Sequence, residues 1–266
     1  MRFGALRRVL ARLVFCVLAG FGGVAGPAAQ AAEPPIVAAA ASLRYALDEI
    51  AMRFEQATGQ RVRLAFGATG SLVHQIEAGA PFELFLAADD ASVQRLAEKG
   101  RTEGPPSIFA QGRIVLIAPK GSPVAVDGAL EGLRAALAAG AVKHFAIANP
   151  EVAPYGRAAR QALQTAKLWD EIAPRLVLGE NVGQAAQFAT TGAAEAGINA
   201  NSLAVASDIA PKIDAALIPA AWHQPIDHGM ALLQGAGATA RAFAAFVRGP
   251  EARAILERNG FSVPAP

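Results

Sequence analysis

From Pro35 onward the chain repeats one loose unit: an apolar run, a few small or turn-forming residues, then a stretch whose apolar side chains recur at helical spacing. Strand and helix in alternation call for parallel pairing, because the helix is the crossover that returns the chain to the same edge of the sheet. The first unit is the run 35–41, then Ser42, then a helix with Leu43, Leu47, Ile50, Ala51 and Phe54 on one face, which Gly59 is placed to end. The second joins 62–66 through Gly67-Ala68-Thr69-Gly70-Ser71 to a short helix from Leu72 to about Ala78. The third is 83–88, with Asp89 or Asp90 as cap and a helix reaching Lys99 before Gly100.

Further along, 113–118 is a β-rich run that turns at 119–123, and 129–139 reads as helix. A buried strand at 145–148 leads through 149–156 to a helix over 157–166. A strand at 175–178 leads through Gly179-Glu180-Asn181 to a helix from Val182. Short strands at 196–199 and 230–233 and helices at 238–247 and 251–258 complete the pattern. The fold class is α/β, mostly parallel sheet flanked by helices on both faces. The β-rich runs 113–118 and 225–233 are where the chain would cross between two lobes and make one of them discontinuous. Periodicity by itself leaves one lobe or two open.

The amino terminus is different in kind. Residues 1–31 contain Arg2, Arg7, Arg8 and Arg12 and no acidic residue, and 13–26 is uncharged and mostly apolar. Ala29-Gln30-Ala31 then fits the small-x-small rule for signal-peptide cleavage. Fourteen helical residues span roughly 21 Å, short of the ~30 Å hydrocarbon core, so export with cleavage is expected rather than anchoring. Those four arginines account for the formal charge of +2: the rest of the chain holds 20 basic against 22 acidic side chains. That balance gives no electrostatic case for nucleic acid or an anionic membrane. The single cysteine, Cys16, lies in the same segment, so the mature chain is expected to have no disulfide and no thiolate chemistry.

Four strand-to-helix junctions could carry chemistry: Ala41-Ser42, Thr69-Gly70-Ser71, Pro154-Tyr155-Gly156 and Asn181-Val182-Gly183. At a helix start the backbone N–H groups lack partners and the dipole is positive, so an anion is welcome there. Ser, Thr and Tyr add hydroxyl donors, and parallel sheets bring such junctions to one edge. Each junction also has a plain structural reading: Ser42 and Asn181 as N-caps, Gly67 to Ser71 as a tight turn, Pro154 as a first-turn proline. Enzyme signatures are missing: the sequence has no Walker loop, no His-Glu-x-x-His and no Gly-x-Ser-x-Gly elbow. His74, His144, His223 and His228 are dispersed, and His223 with Asp227 and His228 reads as a solvated, proline-containing loop rather than a metal site. Ser71 and His74 sit too close on one turn for a nucleophile and its base.

At these junctions the chain resembles the periplasmic molybdate-binding proteins of ABC importers. The matching stretches are Ala38-Ala39-Ala40-Ala41-Ser42-Leu43, Gly67-Ala68-Thr69-Gly70-Ser71-Leu72 and Gln75-Ile76-Glu77-Ala78-Gly79-Ala80-Pro81. Leu84-Phe85-Leu86-Ala87-Ala88-Asp89, Asn149-Pro150-Glu151-Val152-Ala153-Pro154-Tyr155-Gly156 and Gly179-Glu180-Asn181-Val182 continue the match. It closes with Arg248-Gly249-Pro250-Glu251-Ala252 and Asn259-Gly260-Phe261. The resemblance implies a two-lobed type II periplasmic binding protein with its ligand in the interlobe cleft. It divides the chain into a signal peptide (1–31), lobe I (32–113 and 226–266) and lobe II (114–225). It implies oxyanion contacts at Ser42, Ala41, Thr69, Tyr155 and Val182, the last through its backbone N–H, with Gly70 and Asn201 as further candidates. Many relatives have Ser at the Thr69 position, and some supply a Tyr hydroxyl where Ala200 stands here, a contact that is either lost in this chain or replaced by the Tyr155 phenol.

The leading expectation is therefore a monomeric, non-enzymatic binding protein that carries molybdate or tungstate as cargo to an inner-membrane permease, with no cofactor. The runner-up is a binder of sulfate or another small oxyanion. Rivals from other classes are an exported α/β hydrolase using Ser71 or Ser42, and a signalling or adhesion module that kept the fold and lost the ligand.

Overall fold

The computed structural model describes residues 33–264, so the expected export segment 1–31 lies outside the described residues. β1 (Ile36–Ala40) runs through a 3-10 turn over Ala41–Leu43 into α1 (Arg44–Thr58), closed by Gly59 in the left-handed region at φ 71°. β2 (Arg63–Gly67) feeds α2 (Thr69–Glu77), and β3 (Phe82–Leu86) feeds α3 (Asp90–Glu98), where Asp89 caps the first turn by accepting from Ser92 N–H at 2.8 Å. β4 (Thr102–Gly112) and β5 (Ile114–Pro119) are separated by Arg113 alone. Then come α4 (Glu131–Ala138), β6 (Phe145–Ala148), α5 (Pro154–Thr165), α6 (Trp169–Ile172), β7 (Leu176–Gly179) and α7 (Val182–Thr190). β8 (Ala196–Ala200), α8 (Asn201–Ala204), β9 (Ile213–Leu217), β10 (Ile226–Leu233), α9 (Ala238–Val247) and α10 (Pro250–Arg258) complete the chain.

The strands form two five-stranded sheets, in the orders β2-β1-β3-β10-β4 and β7-β6-β8-β5-β9. Within the first, β1, β2 and β3 are parallel and β10 runs against both β3 and β4. Within the second, β6, β7 and β8 are parallel and β5 runs against both β8 and β9. The antiparallel strand in each sheet is one that has just arrived from the other. Two such sheets, each flanked by helices, are a two-lobed α/β fold.

Several elements depart from the sequence reading, each for a physical reason. β4 was not expected, because Gly104-Pro105-Pro106 interrupts it. It survives as an edge strand, where proline's missing N–H is tolerated, and the register with β10 jumps from Met230↔Ser107 to Leu232↔Glu103 so that those residues bulge out of the ladder. β9 was also missed; it is a second edge strand with only Ile213 well buried. α5 begins at Pro154 rather than at residue 157, with proline in the first turn, where its missing N–H costs nothing. β10 begins at Ile226, four residues earlier than expected.

A continuous apolar cluster runs through both lobes. In the first lobe Phe54 of α1 meets Phe243 and Phe246 of α9 edge-on at centroid distances of 5.2 and 5.6 Å. That contact anchors the helix whose leading turn carries Ser42.

Candidate functional site

The ends of β1, β2 and β3 face the beginnings of α5 and α7 across a small cavity. It is lined by Ala40, Ala41, Ser42, Gly67, Ala68, Thr69 and Ala88 from the first lobe, and by Ala153, Pro154, Tyr155, Asn181 and Val182 from the second. Residues more than a hundred positions apart in sequence therefore share one wall. Ala41, Ser42, Thr69, Tyr155 and Val182 are all among them; Gly70 and Asn201 are not.

Each lining group is held by something specific. Ser42 is 2 % exposed and sits in the 3-10 turn, where it makes no capping hydrogen bond, so the N-cap reading of this residue fails. Its hydroxyl instead meets His228 Nε2 at 3.2 Å, while its carbonyl accepts from Ser202 Oγ at 2.7 Å. Thr69 is 1 % exposed, and its Oγ1 accepts the Ala88 N–H at 3.0 Å. With an oxygen lone pair engaged by that amide, the hydroxyl hydrogen is left to be donated elsewhere. Val182 opens α7, whose first turn Asn181 caps by accepting from Gly183 and Gln184 N–H at 2.9 and 3.3 Å. The buried Asn199 side chain donates to the Val182 carbonyl at 3.0 Å and fixes that residue from the sheet side. First-turn amides such as those of Tyr155 and Val182 have no acceptor within their own helices.

Tyr155 supplies the unusual group. Its hydroxyl is buried and makes no hydrogen bond within the described residues. Burial pushes the phenol's pKa upward, the neighbouring Ser42 side chain opposes it, and burial prevails, so the group stays a neutral donor. A buried hydroxyl without a hydrogen-bond partner, on a residue that lines the cavity, is a group a bound anion would satisfy. Gly112 makes room for it: a Cβ there would lie 2.0 Å from the Tyr155 oxygen and 3.0 Å from His228 Cε1. Gly112→Ala is expected to displace the phenol and cost about 1–3 kcal/mol of stability, read as a lowered melting temperature.

The other two candidates have other partners. The Gly70 N–H donates to Val152 O at 2.9 Å, and Gly70 is needed there because a Cβ would also fall 2.9 Å from that oxygen. The Asn201 side chain donates to Gly260 O at 3.2 Å. Both tie the lobes together beside the cavity rather than facing into it. Ala200 is fully buried at the end of β8 and does not line the cavity.

His228 is the residue that sequence reasoning placed wrongly. The sequence pattern puts it in a solvated loop, yet it is fully buried in β10, ringed edge-on by Phe109, Tyr155 and Phe261 at 6.2, 5.9 and 5.1 Å. The signal was present in the alternation of Ile226, His228 and Met230, which puts all three on the inner face of one strand. Burial drives its pKa down to about 4, against the opposing effects of the Ile226 carbonyl, Asp89 and Asp227. Asp89 is in turn paired with Arg157.

No carboxylate lines the cavity, and no cluster of metal-ligating side chains occurs among the described residues. The site presents N–H and O–H donors between two lobes. Architecture and site together define a two-lobed solute-binding protein. The chain belongs to the bacterial extracellular solute-binding proteins, whose family model matches residues 36–262. It is 36% identical to the molybdate-binding protein of Azotobacter vinelandii over 96% of this chain and 98% of that one. It is 34% identical to the molybdate-binding protein of Rhodobacter capsulatus over 90% and 91% of the respective chains. A solved structure of the Azotobacter vinelandii periplasmic molybdate-binding protein is similar at a TM-score of 0.79 and 30% identity, covering 87% of this chain and all of that one.

Proposed function

We propose that this protein captures molybdate, and tungstate with it, in the periplasm and delivers it to an inner-membrane ABC import permease. The observation that carries the reading is that three hydroxyl-bearing residues, Ser42, Thr69 and Tyr155, and the helix-opening Val182 all line one carboxylate-free cavity between the lobes. A tetrahedral dianion needs donors only, and donors are what this cavity offers. The relatives named above are molybdate-binding proteins, which favours molybdate over other oxyanions. On this reading lobe I is 32–113 with 226–266, lobe II is 114–225, and residues 1–31 are a cleaved export signal. The protein acts as a monomer without a cofactor, and neither nucleic acid nor a membrane surface is among its partners.

The site is a receptor rather than a catalyst. Ser42 and His228 are hydrogen-bonded as a nucleophile and base would be, but an imidazole held near pKa 4 is a poor base at neutral pH. Its Nδ1 faces the Ile226 carbonyl at 3.1 Å, where a catalytic triad would have a carboxylate.

Calorimetric titration near pH 7 with sodium molybdate, tungstate and sulfate tests the reading. Molybdate and tungstate are expected to bind tightly. Sulfate is a smaller tetrahedron whose oxygens cannot reach all the fixed donors at once, so its affinity is expected to be at least about tenfold lower, the equivalent of one weakened hydrogen bond. Molybdate at about 100 times its dissociation constant should add ~2.7 kcal/mol and raise the melting temperature by very roughly 5–10 °C. Sulfate binding as tight as molybdate would transfer the assignment to a general oxyanion carrier, and absence of any binding would overturn it.

A further inference from the structure

The Ser42–His228 hydrogen bond assigns the protein's buried histidine a part in anion capture, an inference that rests on the oxyanion reading of the cavity. We propose that His228 is a positioning residue: it holds the Ser42 hydroxyl until an anion arrives, then takes up a proton from solvent so that Ser42 can turn its own hydrogen onto the anion.

The argument is a count of hydrogens. His228 Nδ1 lies 3.1 Å from the Ile226 carbonyl, which can only accept, so Nδ1 carries the hydrogen. In the neutral ring Nε2 is then a bare lone pair, and the 3.2 Å contact to Ser42 is a bond in which the hydroxyl donates to the ring. Ser42 has one hydroxyl hydrogen. While it points at His228, the serine turns oxygen lone pairs toward the cavity, which an oxyanion would be repelled by. Two changes would free that hydrogen. In one, the hydroxyl rotates away and leaves Nε2 buried without a partner. In the other, Nε2 gains a proton and the bond reverses, with Nε2–H donating to Ser42 Oγ and Ser42 donating to the anion. The second keeps every polar atom paired and places an imidazolium beside a dianion in a water-poor site, where opposite charges attract strongly.

The surroundings make that proton uptake responsive to the anion. His228 feels the charges of Asp89, which is paired with Arg157 of α5, and of the adjacent Asp227, which accepts from Gln111 Nε2 of β4 at 2.8 Å. The neutral Tyr155 phenol and the rings of Phe109 and Phe261 complete the shell. Both carboxylates favour the imidazolium, and burial opposes it and prevails. A dianion hydrogen-bonded to Ser42 adds a larger negative charge, which favours the imidazolium as the two carboxylates do. The complex then holds more protons than the free protein, so binding tightens as pH falls.

Titrating the wild-type protein with sodium molybdate near pH 7 in PIPES and in Tris separates proton uptake from simple binding. The measured enthalpies should differ by the two buffers' ionisation enthalpies times an uptake of about half to one proton. The dissociation constant should fall by up to about tenfold per pH unit between about pH 8 and pH 6. Nitrogen NMR of the labelled imidazole should show His228 Nε2 changing from unprotonated to protonated as molybdate is added. His228→Gln, which keeps a polar group at the Nε2 position, should bind molybdate with a pH-independent constant and no buffer-dependent heat; the wild-type measurements decide the matter if that variant does not fold. Tight molybdate binding with equal enthalpy in both buffers and an unprotonated Nε2 would overturn the role of His228 and leave the molybdate function standing. No molybdate binding at all would overturn both.

Discussion

Thr69→Val is expected to weaken molybdate binding by about tenfold to a hundredfold and to destabilise the protein by about 1–3 kcal/mol. Valine matches threonine in shape, so the change removes a hydroxyl and little else. The binding loss is that of one hydrogen bond to a charged acceptor, roughly 1.5–3 kcal/mol. The stability loss has a separate origin in the Ala88 N–H, which now donates to Thr69 Oγ1 at 3.0 Å in a buried position and would be left unpaired. Thr69→Ser should restore both properties, since it keeps the oxygen that Ala88 needs and the hydrogen that the anion needs. Calorimetry on the three proteins reads the first effect and thermal melting the second. Unchanged affinity in the valine variant would remove Thr69 from the site.

Phe54→Ala should be the most damaging single change to the fold, costing about 3–5 kcal/mol. Phe54 is 1 % exposed and meets Phe243 and Phe246 edge-on, so truncation leaves a void that α1 and α9 would have to close around. For a chain of this size that is a drop in melting temperature of roughly 6–20 °C. The variant that remains folded should still bind molybdate, because Phe54 lies far along α1 from the turn that carries Ser42. A melting temperature within about 2 °C of wild type would mean that α1 and α9 repack freely, contrary to the close-packed interior expected here.

The parts of this molecule that were legible in the sequence are those whose constraint is local. A helix beginning directly after an apolar run leaves its mark in the Gly, Ser, Thr and Pro residues of the junction. Ser42, Thr69, Tyr155 and Val182 could be picked out because a helix start exposes N–H groups whatever lies elsewhere in the chain. β4 was hidden because its disruption by Gly104-Pro105-Pro106 is rescued only by its place at a sheet edge, which depends on β10, more than a hundred residues later. His228 was hidden for the same reason. Nothing adjacent to it reveals Ser42, which follows a strand two places away in the sheet; only the alternation along β10 hinted that it points inward. Gly70 and Asn201 show the converse limit of local reading. They entered as further candidates, and their hydrogen-bond partners, Val152 and Gly260, come from the facing lobe, which no local pattern reveals.

The sheet orders also set a schedule for folding as the chain is made from its amino terminus. β3 and β4 have no direct contact in the first sheet; the place between them belongs to β10, at residues 226–233. Until that segment has been synthesised, both strands expose an edge with unpaired backbone groups. The second sheet, by contrast, is complete once Leu217 has appeared, because β5 to β9 are contiguous in the chain. The lobe begun first is therefore finished last, and its closure demands contacts between strands more than a hundred residues apart. Such pairings are slow, since the loop must be closed before the contact rewards it. A chain built this way stays without its finished anion site until nearly all of it is present, and premature release would leave the β3 and β4 edges open to pairing with other chains.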